Sequence, residues 1–374
     1  MPRGGKTTCL IKDDWIFRQE GTVLCKFSKK GLGMRHFHLF HGLWTRFCVL
    51  RVATGALAAV ASMAAPSLAA VVSFGSGANA FDMHFVTIGN PDNAADTTGA
   101  PNSAGSVGYI YSIGKFEVSE DMINKFNASQ SLQITKDTRG TNKPATNVSW
   151  NEAARFVNWL NTSTGNQPAY KFTTSGVNDD IALWDATADP LDYDSANRLR
   201  SKRAKYVLPS LNEWYKAAYY DSSSSTYYDF ANGSNTRPIA VTNGTASNTA
   251  VYTQSGEASP NVPADITEAG GLSPYGVMGL GGNVWEWEES LFDPTNSAGS
   301  SGRWLRGGGW GDSSYSLSSL SRFPNGASDG INNFGFRVAS LSSSAPPAVP
   351  EPSMMVIGTL FGLGGFMAKR GRKK

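Results

Sequence analysis

The stretch Gly281-Gly282-Asn283-Val284-Trp285-Glu286-Trp287 says more about the fold than any other part of this 374-residue chain. Its two tryptophans flank Glu286, as neighbours do when side chains alternate between the faces of a β-strand. Tryptophan buries a large apolar area, so we expect Trp285 and Trp287 to define the core. A carboxylate between them must be buried with partners, and loop amides are the simplest candidates.

Further motifs lie on both sides of this stretch in a characteristic order. They are Ile88-Gly89-Asn90-Pro91 with Asn93-Ala94-Ala95-Asp96, Ile113-Gly114-Lys115-Phe116-Glu117-Val118, Asn147-Val148-Ser149-Trp150-Asn151-Glu152-Ala153, Leu208-Pro209-Ser210 with Glu213-Trp214, Arg306-Gly307-Gly308, and Asn333-Phe334-Gly335-Phe336-Arg337. Together they resemble the formylglycine-generating-enzyme (FGE, sulfatase-modifying factor) domain over residues 80–340. The resemblance implies an α+β, C-type-lectin-like fold that is rich in loops, with few short helices and strands.

The local patterns agree with sparse regular structure. Two helices are predicted, at Asn151–Leu160 behind the N-cap Ser149 and at Leu211–Tyr220 behind a Ser210/Glu213 capping box. Short β-prone segments bounded by turn residues lie between them. The predicted strands are Phe81–Ile88, Tyr109–Val118, Tyr206–Leu208 and Phe336–Ala339.

The front of the chain has the features of an export signal. An apolar, small-residue stretch follows several arginines, and Ser67-Leu68-Ala69 places small residues where a signal peptidase reads. We therefore interpret residues 34–69 as a signal peptide cleaved after Ala69. A signal counted from Met1 would be too long, so residues 1–33 are interpreted as an upstream mis-start.

The last residues predict envelope sorting. Pro350, Glu351 and Pro352 precede an apolar segment at 354–368 and a basic tail, and residues 341–349 read as a linker. A full membrane span needs about 20 apolar residues. Positively charged residues favour the cytoplasmic side, so transient inner-membrane anchoring is expected. The layout of residues 350–374 resembles the PEP-CTERM signal of Gram-negative bacteria, which implies exosortase processing and a cell-surface, outer-envelope or matrix location. An ordinary C-terminal anchor is the alternative.

Composition excludes two classes of activity from the central region. All three cysteines (Cys9, Cys25 and Cys48) precede the predicted cleavage, which rules out disulfide and thiol chemistry after it. The ends also carry 15 basic but only 3 acidic residues, so residues 71–368 retain 18 basic and 27 acidic residues, a net charge of −9. An acidic domain is a poor candidate for nucleic-acid binding.

The cysteine count bears on the catalytic activity that the resemblance implies. Sulfatase-activating members of the family hold copper(I) with two cysteines downstream of Arg-Gly-Gly, and soft thiolates suit that ion. Here Asp312 stands at the first of these positions, and the second falls near Ser316 or Leu317. We therefore expect no copper and no formylglycine-generating oxidase activity. The iron-dependent branch needs histidines from a helical domain, whereas only His84 follows the cleavage point.

A polar ligand cleft is the next expectation. Arg322 and Asn325 align with the family without gaps from Gly335-Phe336-Arg337, and the predicted cleft combines an aromatic face with amide and guanidinium donors. Its members are Trp310, Asp312, Arg322, Asn325 and Asn333. Such a cleft suits a glycan or an extended peptide, as in a non-catalytic binding module. The alternatives are an enzyme with reassigned chemistry in which Asp312 is an acid/base group, and loop bracing in a scaffold without a functional cleft.

The resemblance also implies a calcium site at Glu286. In the family the corresponding glutamate binds calcium with backbone carbonyls, here those of Gly282 and Val284, and with a side chain seven residues earlier. That residue is Gly279, so one side-chain ligand is missing. Calcium needs six to eight oxygens, which weakens the expectation. Asn248 aligns loosely with a ligand of a second family calcium site.

Overall fold

The computed structural model describes residues 70–292, 299 and 301–341. The predictions for the signal peptide, its cleavage after Ala69, the Pro350-Glu351-Pro352 motif and the apolar segment 354–368 fall outside these residues. None of the helices in the described ranges has the length and apolar character needed to cross a membrane.

Three α-helices carry serine N-caps. They are α1 (Glu120–Ser129), α2 (Trp150–Ser163) and α3 (Leu211–Tyr219). Capping boxes at Ser149/Glu152 and Ser210/Glu213 satisfy the first free amides of α2 and α3, as the sequence patterns predict. Sequence reasoning missed α1, because its buried apolar residues are only Ile123 and Phe126, too few for a clear stripe.

The largest sheet has five antiparallel strands in the order β1-β2-β3-β15-β6. Its strands are β1 (Ala70–Phe74), β2 (Phe81–Ile88), β3 (Tyr111–Gly114), β6 (Tyr206–Val207) and β15 (Ala339–Leu341). The first and last strands of the described chain thus share one sheet, so residues 70–341 close on themselves as a folding unit. The domain therefore begins before the predicted boundary at residue 80, and Leu341 belongs to a strand rather than to the linker.

A second sheet carries the Trp-Glu-Trp stretch in its middle. The order is β13-β12-β11-β14, antiparallel except for the parallel pair β11 and β14. The strands are β11 (Trp285–Leu291), β12 (Arg303–Arg306), β13 (Phe323–Asn325) and β14 (Phe334–Gly335). As predicted, Trp285 and Trp287 are buried, with 7% and 0% of their surface exposed.

Three two-stranded sheets complete the described strands, and most of the described residues lie in loops. They pair β4 (Lys171–Phe172) with β5 (Ile181–Ala182), β7 (Tyr220–Asp221) with β8 (Thr226–Tyr227), and β9 (Ile239–Val241) with β10 (Thr249–Val251). The loop-rich α+β class expected from the sequence is confirmed.

The prediction of a strand at Phe336–Ala339 is wrong in its position. The chain leaves the second sheet after β14 and joins the first at β15, so Phe336, Arg337 and Val338 connect two sheets. The carbonyls of Phe336 and Val338 still accept hydrogen bonds from Val118 and Gly114, at 2.9 and 2.7 Å. Arg337 therefore lies between the two sheets and reaches the core from there.

Candidate functional site

Three acidic residues of β11 are buried, and each lies beside an arginine. Glu286 pairs with Arg337, Glu288 lies 2.8 Å from Arg306, and Glu289 lies 3.7 Å from Arg200. Two of these arginines belong to motifs noted in the sequence, Arg306-Gly307-Gly308 and Gly335-Phe336-Arg337. Arg306 and Arg337, which are distant in the chain, therefore both supply counter-ions to one buried strand.

Glu286 has both carboxylate oxygens engaged. Oε2 accepts from Arg337 Nε at 2.6 Å and from Trp214 Nε1 at 2.7 Å, and Oε1 accepts from Arg337 Nη2. Arg337 also donates to the carbonyls of Gly114 and Met278, at 2.9 Å each. The partners of the buried carboxylate are thus a guanidinium and an indole rather than the loop amides expected from the sequence.

These contacts bear on the calcium prediction. A calcium ion at Glu286 would compete with a guanidinium that already neutralises the carboxylate, so the residues as arranged do not fit that ion. Gly282 accommodates a close backbone approach, since a Cβ there would lie 2.4 Å from the carbonyl oxygen of Val251. Asn248 accepts a hydrogen bond from Asn232 in a separate loop. No cluster of three metal-binding side chains occurs among residues 70–292, 299 and 301–341.

A second carboxylate occupies the space beside Gly279. A Cβ at Gly279 would lie 2.3 Å from Glu117 Oε1, which accepts from Asn283 Nδ2 at 2.9 Å. Glu117 Oε2 is buried and has no hydrogen-bond partner among the described residues. Burial is the main cause that raises the pKa of Glu117, to about 7; Arg337 opposes the shift and Glu286 adds to it. Sequence reasoning missed this group because Glu117 lies far from Gly279 in the chain.

The loop after Arg306-Gly307-Gly308 holds Asp312 in a fixed position. Asp312 Oδ2 accepts from Trp285 Nε1 at 2.7 Å and from the amide of Gly309 at 2.8 Å. The amide of Asp312 donates in return to the Gly309 carbonyl at 3.0 Å, and Thr253 donates to the Asp312 carbonyl at 3.0 Å. This partly exposed carboxylate is therefore oriented before any ligand arrives.

Asn333 reaches the same place from the loop before β14. A Cβ on Gly309 would lie 3.3 Å from Asn333 Nδ2 and 3.3 Å from Asp312 Oδ2, so the two side chains flank this glycine. The Asn333 carbonyl also accepts from the amide of Trp285 at 2.9 Å. Two of the five predicted cleft residues, Asp312 and Asn333, are thus brought together.

An aromatic side chain that sequence reasoning missed lies beside Trp285, the residue that donates to Asp312. Phe323 is 45% exposed, and its ring centroid is 5.9 Å from that of Trp285 and 6.1 Å from that of Phe334. We call the group of Trp285, Gly309, Asp312, Phe323 and Asn333 the Asp312 corner. The sequence signal that could have identified Phe323 is strand alternation: Arg322 directly precedes β13 and Phe323 begins it, so their side chains are expected on opposite sides.

Trp310 does not open onto the corner as expected. Trp310 is only 9% exposed and packs with Val251, Ala264 and Val284, while the guanidinium of Arg139 lies 5.0 Å from its ring centre. It therefore offers no open aromatic face. Asn325 lies on the edge strand β13, where its side chain accepts from the Gly326 amide at 2.8 Å.

Arg322 lies in a different cleft. Its guanidinium stacks 3.9 Å from the ring centre of Trp304, and both residues line a cavity that none of the other four predicted residues lines. The separation has a simple cause, since neighbouring residues entering a strand point to opposite sides.

The donor set of the Asp312 corner does not fit copper(I). It offers a carboxylate oxygen that accepts from an indole N–H and a backbone amide, whereas the ion prefers soft sulfur ligands. Cysteines occur only at Cys9, Cys25 and Cys48, before the folding unit.

Comparison with solved structures finds proteins of similar size. Treponema denticola variable protein 1 has 20% sequence identity and a TM-score of 0.48, over 72% of this chain and 98% of that one. CarF has 19% identity and a TM-score of 0.49, over 70% and 98%. PvdO from Pseudomonas aeruginosa has 18% identity and a TM-score of 0.44, over 72% and 98%. No curated protein matches the sequence.

Comparison with protein families gives a match over nearly all of the described residues. Residues 71–341 match the family described as the sulfatase-modifying factor enzyme 1-like domain, FGE-sulfatase. The match starts inside β1 and ends at the last residue of β15, in agreement with the folding unit seen in the structure. The mixed α+β architecture with its curled sheets is consistent with the expected C-type-lectin-like fold. The chain belongs to the FGE-sulfatase family.

Proposed function

We propose that the protein is an exported, exosortase-sorted cell-surface or matrix protein whose FGE-like domain is a non-catalytic binding module for a glycan or a peptide. The observation that carries the proposal is the Asp312 corner. There Trp285 and Gly309 fix the orientation of the Asp312 carboxylate, at the position where the family resemblance implies a copper-binding cysteine. The side-chain hydrogen bonds that Asp312 accepts within the domain are both accepted by Oδ2. Among the described residues, no donor is hydrogen-bonded to Oδ1.

The shape of the corner supports a polar ligand with an apolar face. Phe323 provides an exposed aromatic surface, Asp312 an acceptor and Asn333 an amide with both donors and acceptors. Sugar rings and extended peptides both present this combination of apolar patches and hydrogen-bonding groups. The first test is a screen of residues 70–341 on glycan and peptide arrays, with and without calcium. Binding to one class supports the proposal, and well-folded protein that binds neither contradicts it.

The rival function is an enzyme that uses Asp312 as an acid/base group, which a partly exposed and oriented carboxylate would permit. Asp312→Asn separates the two. Asparagine keeps an oxygen that accepts from Trp285 and Gly309, so the loop should keep its shape. For a binding module we expect a modest loss of affinity, about 2- to 10-fold. For an acid/base enzyme, binding would stay near normal and turnover would stop.

Export makes a prediction about the mature chain. Cleavage after Ala69 would leave Ala70 as the first residue, which is also the first residue of β1. We expect N-terminal sequencing of protein recovered from the producing cell envelope to begin at Ala70, because signal peptidase cuts after small residues. Intact mass would show removal of the residues after the Pro350-Glu351-Pro352 motif by exosortase. A mature protein that begins elsewhere and keeps residues 354–374 would contradict the proposed processing.

A further inference from the structure

A large cleft separate from the Asp312 corner lies beside Trp304 and Arg322. Its volume is about 1410 Å³, and no residue of the corner lines it. Small-molecule pockets are usually about 300–1,000 Å³. The cleft is therefore large enough for several units of an oligomeric ligand.

The charge of this cleft is opposite to that of the domain. Among the described residues, the charged side chains that line it outside the buried ion pairs are Arg198, Lys202 and Arg322, with the single acid Asp194. Arg200 and Glu289 also line the cleft, but Arg200 is paired with the buried Glu213 at 2.9 Å and lies 3.7 Å from Glu289, so these charges are held within the wall. A positive cleft in a region with a net charge of −9 favours an anionic ligand.

Arg322 is the residue best placed to bind an acid. Its guanidinium lies 3.9 Å from the ring centre of Trp304, and no acidic side chain of residues 70–292, 299 or 301–341 is within ion-pair distance of it. Stacking on an indole restricts the orientation of the guanidinium, whose N–H groups lie in one plane through its delocalised bonding. That plane suits bidentate donation to a carboxylate and lowers the ordering cost of binding.

The other lining groups distinguish a sugar from a peptide. Arg198 and Lys202 are exposed in the loop before β6, line the same cleft and add charge. Ser195 adds a hydroxyl group to the lining, and Ser210 and Asn212 keep donor groups beside the hydrogen bonds that they accept from Glu213 and Gly105. An acidic polysaccharide presents several hydroxyls beside each carboxylate, whereas an acidic peptide presents few, so this lining favours the polysaccharide.

We propose that the cleft binds an acidic polysaccharide, with Arg322 pairing with a uronic-acid carboxylate and Arg198 and Lys202 contacting neighbouring carboxylates. This site is independent of the Asp312 corner, so either could fail without the other.

The test is calorimetric titration of residues 70–341 with a galacturonate oligomer, its methyl ester of equal length, and an oligoglutamate peptide. We expect the galacturonate to bind, the ester to bind at least about tenfold more weakly, and affinity to fall as salt rises. Arg322→Gln should weaken galacturonate binding about tenfold or more. Arg155→Gln is the matched control, because Arg155 also stacks on an aromatic ring, that of Phe172 at 3.6 Å, and does not line the cleft.

Equal binding of the acid and its ester, or an unchanged affinity in Arg322→Gln, would overturn the proposal. Tighter binding of oligoglutamate than of galacturonate would reject the polysaccharide in favour of a peptide, and binding of neither would reject the site. Arg198→Gln provides a second variant at an exposed position of the lining, and it should also lower the affinity. Asp312→Asn and Phe323→Ala should leave galacturonate binding unchanged.

Discussion

Arg337→Met is expected to lower the free energy of unfolding by about 3–5 kcal/mol, the usual loss when one partner of a buried ion pair is removed. Arg337 is completely buried, and both oxygens of Glu286 depend on it. Its loss would leave Glu286 and Glu117 close together without their counter-ion, and would also free two buried carbonyls, those of Gly114 and Met278. Urea unfolding of residues 70–341 at neutral pH measures the effect.

The matched control is Arg203→Met. Arg203 also forms a two-point pair, donating to both carboxylate oxygens of Asp192 at 3.0 and 2.8 Å, but its side chain is 46% exposed. Solvent screens such a pair, so a loss of about 1 kcal/mol or less is expected. If Arg337→Met does not fold, the double variant with Glu286→Gln should restore part of the stability, because the second change removes the buried charge. A loss in Arg337→Met no larger than in Arg203→Met would contradict the importance of the buried pair.

Glu117→Gln is expected to stabilise the domain at alkaline pH. Burial, the largest cause, raises the pKa of Glu117 to about 7 in the folded state, from 4.5. The folded state therefore holds the proton more tightly than the unfolded state. The contribution of Glu117 is fully present below the unfolded pKa and is lost as pH rises through about 7. The loss amounts to about 3 kcal/mol, at 1.36 kcal/mol for each unit of pKa.

The variant removes this titration while its side-chain oxygen can still accept from Asn283. Wild type and Glu117→Gln should therefore have similar free energies of unfolding near pH 4.5, and the variant should be more stable by up to about 3 kcal/mol at pH 8. Urea unfolding at several pH values, in the presence of a chelator, measures the difference. Glu268→Gln, at an exposed position, should show no such divergence from wild type. Parallel curves for Glu117→Gln and wild type would show that the Glu117 carboxylate is not destabilised by burial.

Local sequence signals predicted much of the framework. Ser149 and Ser210 mark the starts of α2 and α3 because a serine hydroxyl satisfies free amides within its own turn. The strand Phe81–Ile88 and the burial of Trp287 follow from patterns of the same short range. Each of these features depends on residues within one element, which is why sequence alone was sufficient.

The parts that could not be predicted depend on contacts between distant residues. The partner of Glu286 is 51 residues away, and Asp312 meets Trp285 across 27 residues. The order of the motifs in the sequence indicated that Glu286, Arg337, Trp285 and Asp312 belong to one domain, but it did not show which of them are hydrogen-bonded to each other. Arg322 was predicted to share a cleft with Asp312 and Asn333 but lies in a different one. It points away from its neighbour Phe323, which belongs to the Asp312 corner, because successive residues at a strand face opposite sides. That detail requires knowing where β13 begins. Trp310 lost its open face to Arg139, a residue from a loop far earlier in the chain.

The central claim is that the Asp312 corner binds its ligand without transforming it. The most direct measurement is the affinity of residues 70–341 for the ligand found on the arrays, in wild type, Phe323→Ala and Leu320→Ala. Phe323 and Leu320 are exposed apolar residues of the same region, at 45% and 51%, but only Phe323 contacts Trp285. We expect Phe323→Ala to weaken binding about tenfold or more, Leu320→Ala to bind like wild type, and the ligand to be recovered unchanged. Equal affinity of all three proteins, or a ligand converted by wild type and untouched by Asp312→Asn, would contradict the account.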